Sequence, residues 1–344
     1  MIRIYTCPGT DTHGMKIAPV SSPASAPPAA IPISTEVPAP PHEAASPDAP
    51  SAAPSDAEAR VAAAMKGDAL VGDIAAMAAN PRVFRTDQQR AAAFALAQQV
   101  KAAGWDVHIE ELPTRIGPVV NVVAELAGTA PKAERNLVIA GAHLDSVPRA
   151  PGGDDNASGS AAMLELAKVL VGEQRRNDIR IVWFDGEERG LFGSEAHVRN
   201  MPKADVDRTI AMVNADMIGA PHGVAGYSMG VGTTSGLGEL IRTIADRNKI
   251  TAEFRDERHS RSDHHSFDRA GIPSVDFGVS VRTVGSDDPN YHSPRDTATN
   301  IDPVKLEAQA DLVALTVLDL AQRTARVPGP PPPRGIRIDD GPPI

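Results

Sequence analysis

Three apolar runs in this chain each end in side chains able to hold a cation. Residues 137–142 lead into His143-Leu144-Asp145, residues 179–184 into Asp185-Gly186-Glu187-Glu188, and residues 209–214 into Ala215-Asp216. A glycine-rich turn, Gly152-Gly153-Asp154-Asp155-Asn156-Ala157-Ser158-Gly159, opens a helix, and Asn290-Tyr291-His292-Ser293-Pro294 lies near the end. Singly, each has a plain structural use. A histidine after a strand is commonly a hydrogen-bonded loop residue, and Asp, Asn, Ser and Gly suit turns and helix caps. Adjacent glutamates suit a helix start, where the macrodipole favours acids. Together they suggest a cation site, because two imidazoles and three carboxylates (His143, His292, Asp155, Glu188, Asp216) are delivered toward one place, with Glu187 to spare. A single catalytic zinc takes about three protein ligands and a water. Five ligands suit two ions roughly 3.5–4 Å apart that share a carboxylate. Cys7 is the only cysteine, so the donors are oxygen and imidazole nitrogen; these favour zinc, with manganese or cobalt as substitutes. Asp145, two residues after His143, is placed to accept the other ring N–H and fix the imidazole.

What positions these residues is an alternation of strand and helix patterns. Helices are expected over residues 57–70, 90–103, 161–170, 237–247 and 304–323. Thr86 with Gln89 forms a capping box for the second of these, and Gly104 is its stop. Strands are expected over residues 105–111, 119–126, 137–142, 179–184, 209–214 and 274–277. Continuous apolar strands alternating with helices imply an α/β fold, a mostly parallel mixed β-sheet covered by helices on both faces. In that architecture ligands bind outside the carboxyl ends of the strands, where the candidate residues fall. Residues 221–238, rich in Gly, Ser and Thr, read as a flexible loop walling the pocket, with Gly226-Tyr227-Ser228-Met229 as a possible substrate contact, though a plain loop is the simpler reading.

Composition narrows the rest. In 344 residues, 42% are hydrophobic and 23% charged, as in a folded globular protein. No apolar run is long enough to span a bilayer, so no transmembrane segment is expected. The net charge is −10, with 34 basic against 44 acidic residues. No basic stripe accompanies it, so nucleic acid is not an expected partner. Residues 1–55 are proline- and alanine-rich without apolar periodicity and read as a disordered tail. Residues 56–326 read as one catalytic domain and residues 327–344 as a second proline-rich tail. A linker such as 1–55 commonly separates an export signal or anchor from a folded domain, so an extracytoplasmic (periplasmic or secreted) location is the expectation, although the first residues show no signal peptide.

The motifs AGAHLDS, GGDDNASGSAA, WFDGEERGLFGS, NADMIG and YHSPRDT, in this order, resemble the M28 family of dinuclear zinc peptidases, which includes bacterial leucine-type aminopeptidases. RSDHHSFDRAGIPSVDF is similar to the family pattern after the fourth ligand. The resemblance covers residues 135 to 300 closely and implies the zinc-dependent exopeptidase fold, also described as phosphorylase/hydrolase-like. It also implies two zinc ions per chain. His143 and Asp216 would hold one, Glu188 and His292 the other, and Asp155, rather than Asp154, would bridge them, with a cis peptide after it. Glu187 would be the general base and Tyr291 would polarise the scissile carbonyl. The implied activity is that of an exopeptidase, foremost an aminopeptidase removing N-terminal residues from peptides through a metal-activated water. A carboxypeptidase or dipeptidase of the same family would need a cation for the terminal carboxylate, for which Arg255, Arg258 and Arg261 are candidates; solvated loop charges are the plainer reading of them. A glutaminyl-cyclase-like transferase and a non-catalytic scaffold protein on the same fold are further alternatives. With no inserted lid or dimerisation domain evident, a monomer or weak oligomer acting on peptide substrates is the expectation.

Overall fold

The computed structural model describes residues 53–222, 225–230, 235–279 and 288–324. Both proline-rich tails read from the sequence fall almost wholly outside the described residues. At the N-terminal end Ser55 caps α1 (Asp56–Ala64), its hydroxyl accepting from Glu58 N while the Glu58 carboxylate accepts from Ser55 N. The helix expected over residues 57–70 is in fact two, because the chain breaks at Met65-Lys66 before α2 (Gly67–Met77). Alanine richness there favours helix without fixing where it must bend to follow the sheet, and Gly67 lies against the main chain of Pro303. Helix α3 (Asp87–Ala102) is capped by Thr86, whose hydroxyl accepts from Gln89 N, and ends at Gly104 with φ +108°. Thr86 N donates to Val83 O at 3.0 Å and not to the Gln89 side chain, so only half of the expected capping box forms.

Among the described residues eight strands form one sheet: β1 (Asp106–Leu112), β2 (Val119–Leu126), β3 (Leu137–His143), β4 (Asp178–Phe184), β5 (Thr209–Ala215), β6 (Ala225–Met229), β7 (Glu253–Arg258) and β8 (Ser274–Val279), in the order β1-β2-β4-β3-β5-β8-β6-β7. The central strands β4, β3, β5 and β8 run parallel, and β1 and β2 are antiparallel at one edge. At the other edge β6 runs antiparallel to β8 and parallel to β7. The remaining helices are α4 (Gly159–Leu170), α5 (Phe192–Asn200), α6 (Lys203–Arg208), α7 (Ser235–Asn248), α8 (His264–Arg269) and α9 (Pro303–Gln322).

The period-two side-chain alternation of a strand explains why the central runs are apolar throughout. Val138, Ala140 and Ala142 of β3 face a core built with α1, α2, α3, α4, α7 and α9, whereas Leu137 and Ile139 face Val198, Met201 and Phe267 on the other side. Two strands escaped the sequence reading. Residues 225–229 are β6, not loop, and Tyr227 is fully buried, its ring near Phe254 and Phe277 and its hydroxyl donating to Gly238 O at 3.0 Å. Tyr227 is therefore a core residue and not a substrate contact. Arg255 and Arg258 likewise lie in strand β7, and Arg258 donates to Gly230 O at 3.1 Å. Such short strands carry too few apolar positions to announce themselves.

Candidate metal centre

The carboxyl ends of β3, β4 and β5, the turn before α4 and the loop before α9 meet at one rim of the sheet. His143 ends β3 fully buried. Its Nε2 lies 3.1 Å from Asp155 Oδ1 and 3.2 Å from Asp216 Oδ1. The other Asp155 oxygen lies 3.1 Å from His292 Nε2, which is 2.9 Å from Glu188 Oε2. Two sets of ligand-type atoms result, His143–Asp155–Asp216 and Asp155–Glu188–His292, each with its atoms within 4.8 Å of one another and Asp155 common to both. Asp154 points elsewhere: its Oδ1 accepts from Gly219 N at 2.8 Å.

Two glycines make this convergence possible. A Cβ on Gly159 would lie 2.2 Å from Ala215 O, so only glycine lets the start of α4 close on the end of β5 and bring Asp155 to Asp216. A Cβ on Gly153 would lie 2.5 Å from the Thr297 carbonyl carbon, where the turn meets the loop carrying His292. The Asp155–Asn156 peptide is cis. Met217 and His292 both have left-handed backbones, with φ +58° and +53°. For residues with a Cβ this costs on the order of 1 kcal/mol each, a kind of strain that clusters at functional sites.

Surrounding groups hold the rim in place. His143 Nδ1 lies 3.2 Å from Asp145 O and 3.6 Å from Asp145 Oδ1. The Asp145 carboxylate also accepts from Glu187 N at 3.1 Å and from Glu188 N at 3.3 Å. Tyr291 stacks on His292 with ring centroids 3.7 Å apart. Three further residues are not singled out by the sequence, although Asp296 lies in YHSPRDT and Asp263 in RSDHHSF; Arg82 lies outside the motifs. Asp296 accepts from Asp154 N and Asp155 N at 2.7 and 3.2 Å, fixing the turn to the His292 loop. Asp263 is fully buried with neither carboxylate oxygen hydrogen-bonded. Arg82, 1% exposed, donates to four main-chain carbonyls: Leu144, Met77, Pro151 and Gly152, at 2.7–2.9 Å. It joins the end of α2, the loop after β3 and the entrance to the Asp155 turn. Only arginine has enough donors in a rigid plane to do this.

The electrostatics are those of a crowded acidic pocket. Burial, with Asp155 beside it, pushes Glu188 up to about 7, and burial with Asp216 and Asp263 nearby holds Glu187 well above the usual carboxylate range. Burial also raises Asp263 to about 7. The histidines respond in the opposite sense. Although burial disfavours its charge, His292 rises to about 10 through its contacts with Asp155 and Glu188, and His143 is raised by Asp216 and Glu187. Protons thus occupy the positions that a divalent cation would neutralise. Glu188 Oε1 is buried without a hydrogen-bond partner, and the donors are imidazole and carboxylate throughout; both facts fit borderline divalent ions such as zinc. A cavity of about 430 Å³ opens beside Glu188, walled by Val83, Phe84, Ile116, Val147 and Pro148, with Arg85 and Arg189 also lining it.

An α/β sheet with two ligand-type sets at its rim that share Asp155 is the frame of a metallohydrolase. Residues 121–317 match Peptidase family M28, and the chain belongs to that family. It is 36% identical over 208 residues to a probable leucine aminopeptidase of Arthroderma otae, covering 56% of this chain and 56% of the relative. It is 31% identical over 247 residues to leupeptin-inactivating enzyme 1 of Streptomyces exfoliatus, covering 67% of this chain and 55% of the relative. The chain thus spans little more than half the length of these curated relatives. Among solved structures, the aminopeptidase from Aneurinibacillus sp. strain AM-1 superposes with a TM-score of 0.69 at 19% identity, over 80% of this chain and 98% of that one; at that identity the likeness concerns the fold.

Proposed function

We propose that the protein is a zinc-dependent aminopeptidase holding two ions per chain. The observation that carries this is the placement of Asp155 between His143 and His292, one carboxylate oxygen toward each. His143 and Asp216 would hold one ion, Glu188 and His292 the other, and Asp155 both. Bound zinc at such a centre supplies a Lewis acid and lowers the pKa of water to around 7.

The chain's own residues supply the rest. Glu187 takes a proton from the attacking water and returns it to the leaving amine, a role that needs a carboxyl titrating above the ordinary range, as burial here provides. The Asp145 carboxylate fixes the Glu187 and Glu188 main chain, so base and ligand are held to one another. Tyr291, stacked on His292, donates its hydroxyl to the developing oxyanion; burial keeps that phenol protonated. The apolar walls of the cavity beside Glu188 take a substrate side chain. The net acidic site suits a free α-amine, and cleavage of a single N-terminal residue follows from seating that amine at the rim.

The test is turnover of amino-acyl p-nitroanilides by the chelator-stripped protein before and after zinc return, with an N-terminal glutaminyl peptide and a C-terminally cleavable dipeptide as the competing substrates. Zinc-restored release of p-nitroaniline is expected, together with a loss of roughly two to four orders of magnitude in kcat for Glu187→Gln at unchanged metal content. Cyclisation of the glutaminyl peptide without p-nitroaniline release would replace the aminopeptidase reading with the transferase one.

A further inference from the structure

A second group of imidazole and carboxylate side chains shares no residue with the two rim sets. His259 follows β7, His264 begins α8 and Asp276 lies on β8. One ligand atom of each falls within 4.8 Å of the others, the same closeness as in the two rim sets. We infer that His259, His264 and Asp276 form a third divalent-cation site, separate from the catalytic centre and structural in role.

The closest approach is His259 Nε2 to Asp276 Oδ2, 3.3 Å. Arg261 N donates to His259 Nδ1 at 3.3 Å, so without metal the His259 Nε2 proton points to Asp276. A cation there would shift the ring proton to Nδ1 and release Arg261 N, and ligands on zinc–nitrogen and zinc–oxygen arms of about 2.0–2.1 Å sit roughly 3.3 Å apart along a tetrahedral edge. The other Asp276 oxygen is engaged, accepting from Asn214 Nδ2 at 2.7 Å, and Asn214 also donates to Ser262 Oγ at 2.8 Å. That arrangement turns one carboxylate oxygen toward the imidazoles and fixes its direction, as outer partners do for metal-bound carboxylates.

The His264 tautomer is set in the same way. Its Nε2 lies 3.0 Å from the main-chain oxygen of His259, so it carries the proton and donates. Its Nδ1 is then a lone-pair nitrogen, and it is buried with no hydrogen-bond partner. His264 is fully buried. A buried acceptor left without a donor is costly unless something else meets it. His259, whose side chain is 10% exposed, gives solvent access to the cluster and a route for entry. Two nitrogens and one carboxylate oxygen without thiolate suit zinc or cobalt and not calcium or magnesium, which prefer oxygen alone. The site would tie the segment between β7 and α8, which contains Asp263, to the central sheet.

Counting metal tests this. The full chain is stripped with a chelator, saturated with zinc, desalted and measured by inductively coupled plasma mass spectrometry. About three equivalents per chain are expected for the wild type and about two for His259→Ala and Asp276→Asn, the latter keeping the size of the side chain. Cobalt loading gives a second readout, a visible absorption component absent from both variants. Equal counts in the wild type and both variants, or a wild-type count of two with no third cobalt component, would overturn the third site. A His292→Ala control keeps the two readings apart. If the rim pair were wrong and the third site right, the wild type would bind one ion, lost in His259→Ala and kept in His292→Ala.

Discussion

Arg82 offers a quantitative test of how the rim is held together. Replacing it with methionine keeps most of the side-chain volume while removing all four charge-assisted bonds to Leu144, Met77, Pro151 and Gly152. The acceptors at Leu144 and Gly152 are reached through fully buried contacts, and an orphaned buried carbonyl costs about 1–3 kcal/mol. Partial rescue by water at the two less buried carbonyls brings the expected total to roughly 4–6 kcal/mol. That is a large part of the ~5–15 kcal/mol by which a domain is stable. Arg82→Lys, with three donors on one ammonium, cannot reach four carbonyls and should cost about half as much. Arg82 also lies near Asp145, Asp155, Asp296 and Glu188, whose charges partly offset the burial that lowers its own pKa to about 10. Its loss should therefore loosen the Asp155 turn and weaken zinc binding as well as the fold. Urea denaturation of the metal-free protein, repeated with saturating zinc, measures both effects. An Arg82→Met midpoint corresponding to less than about 1 kcal/mol of destabilisation would refute the accounting, since it would mean the four carbonyls find other partners at no cost.

Other perturbations follow from the same geometry. Asp155→Asn removes the charge between the two imidazoles, so both metal positions should empty together under dialysis; retention of one full equivalent at the rim would contradict a shared role. Zinc loading at pH 7 should release protons, because His292 titrates at about 10 and Glu188 at about 7, with His143 raised in the same direction by Asp216 and Glu187, and a pH-stat recording that shows none would exclude the charged state derived for the metal-free rim. Asp311 on α9 is raised to about 7 by burial and by Glu307. The folded state therefore binds its proton more tightly than the unfolded chain does, and its contribution to stability is greatest below pH ~4 and is lost as pH rises to ~7. Asp311→Asn should stabilise by about 1–2 kcal/mol at pH 8, after allowance for its partial exposure, and hardly at all at pH 4; equal effects at both pH values would refute this. Gly159→Ala should cost several kcal/mol through its clash with Ala215 O, and an unaltered melting temperature would show that α4 can move off β5 freely.

The legible part of the fold was the part buried on both faces. Central strands β3, β4 and β5 are continuous apolar runs, and a doubly covered sheet leaves no other pattern possible, so their ends, and with them His143, Glu188 and Asp216, could be placed from sequence. Strand β6 is only five residues long and its burial depends on Phe254 and Phe277, far apart in the chain, so local composition read it as loop. The break between α1 and α2 was hidden for a related reason: alanine supports helix on either side of it. At the rim, residues acting through their own side chains lay in recognisable motifs. Those acting by holding main chain were not assigned: Arg82 lies outside the motifs and Asp296, although inside YHSPRDT, had no legible role, because a carbonyl or N–H to be bound leaves no trace in residue type.

The Asp145 carboxylate has one further implication. Because it grips the backbone of both Glu187 and Glu188 while its own carbonyl meets His143, the tips of β3 and β4 are clamped to a common reference point. A slight sliding of one strand tip past the other would carry proton acceptor, metal donor and imidazole along as a rigid set. Relative movement at the rim is thereby left to the loop bearing Tyr291 and His292, whose own tie to the Asp155 turn runs through Asp296.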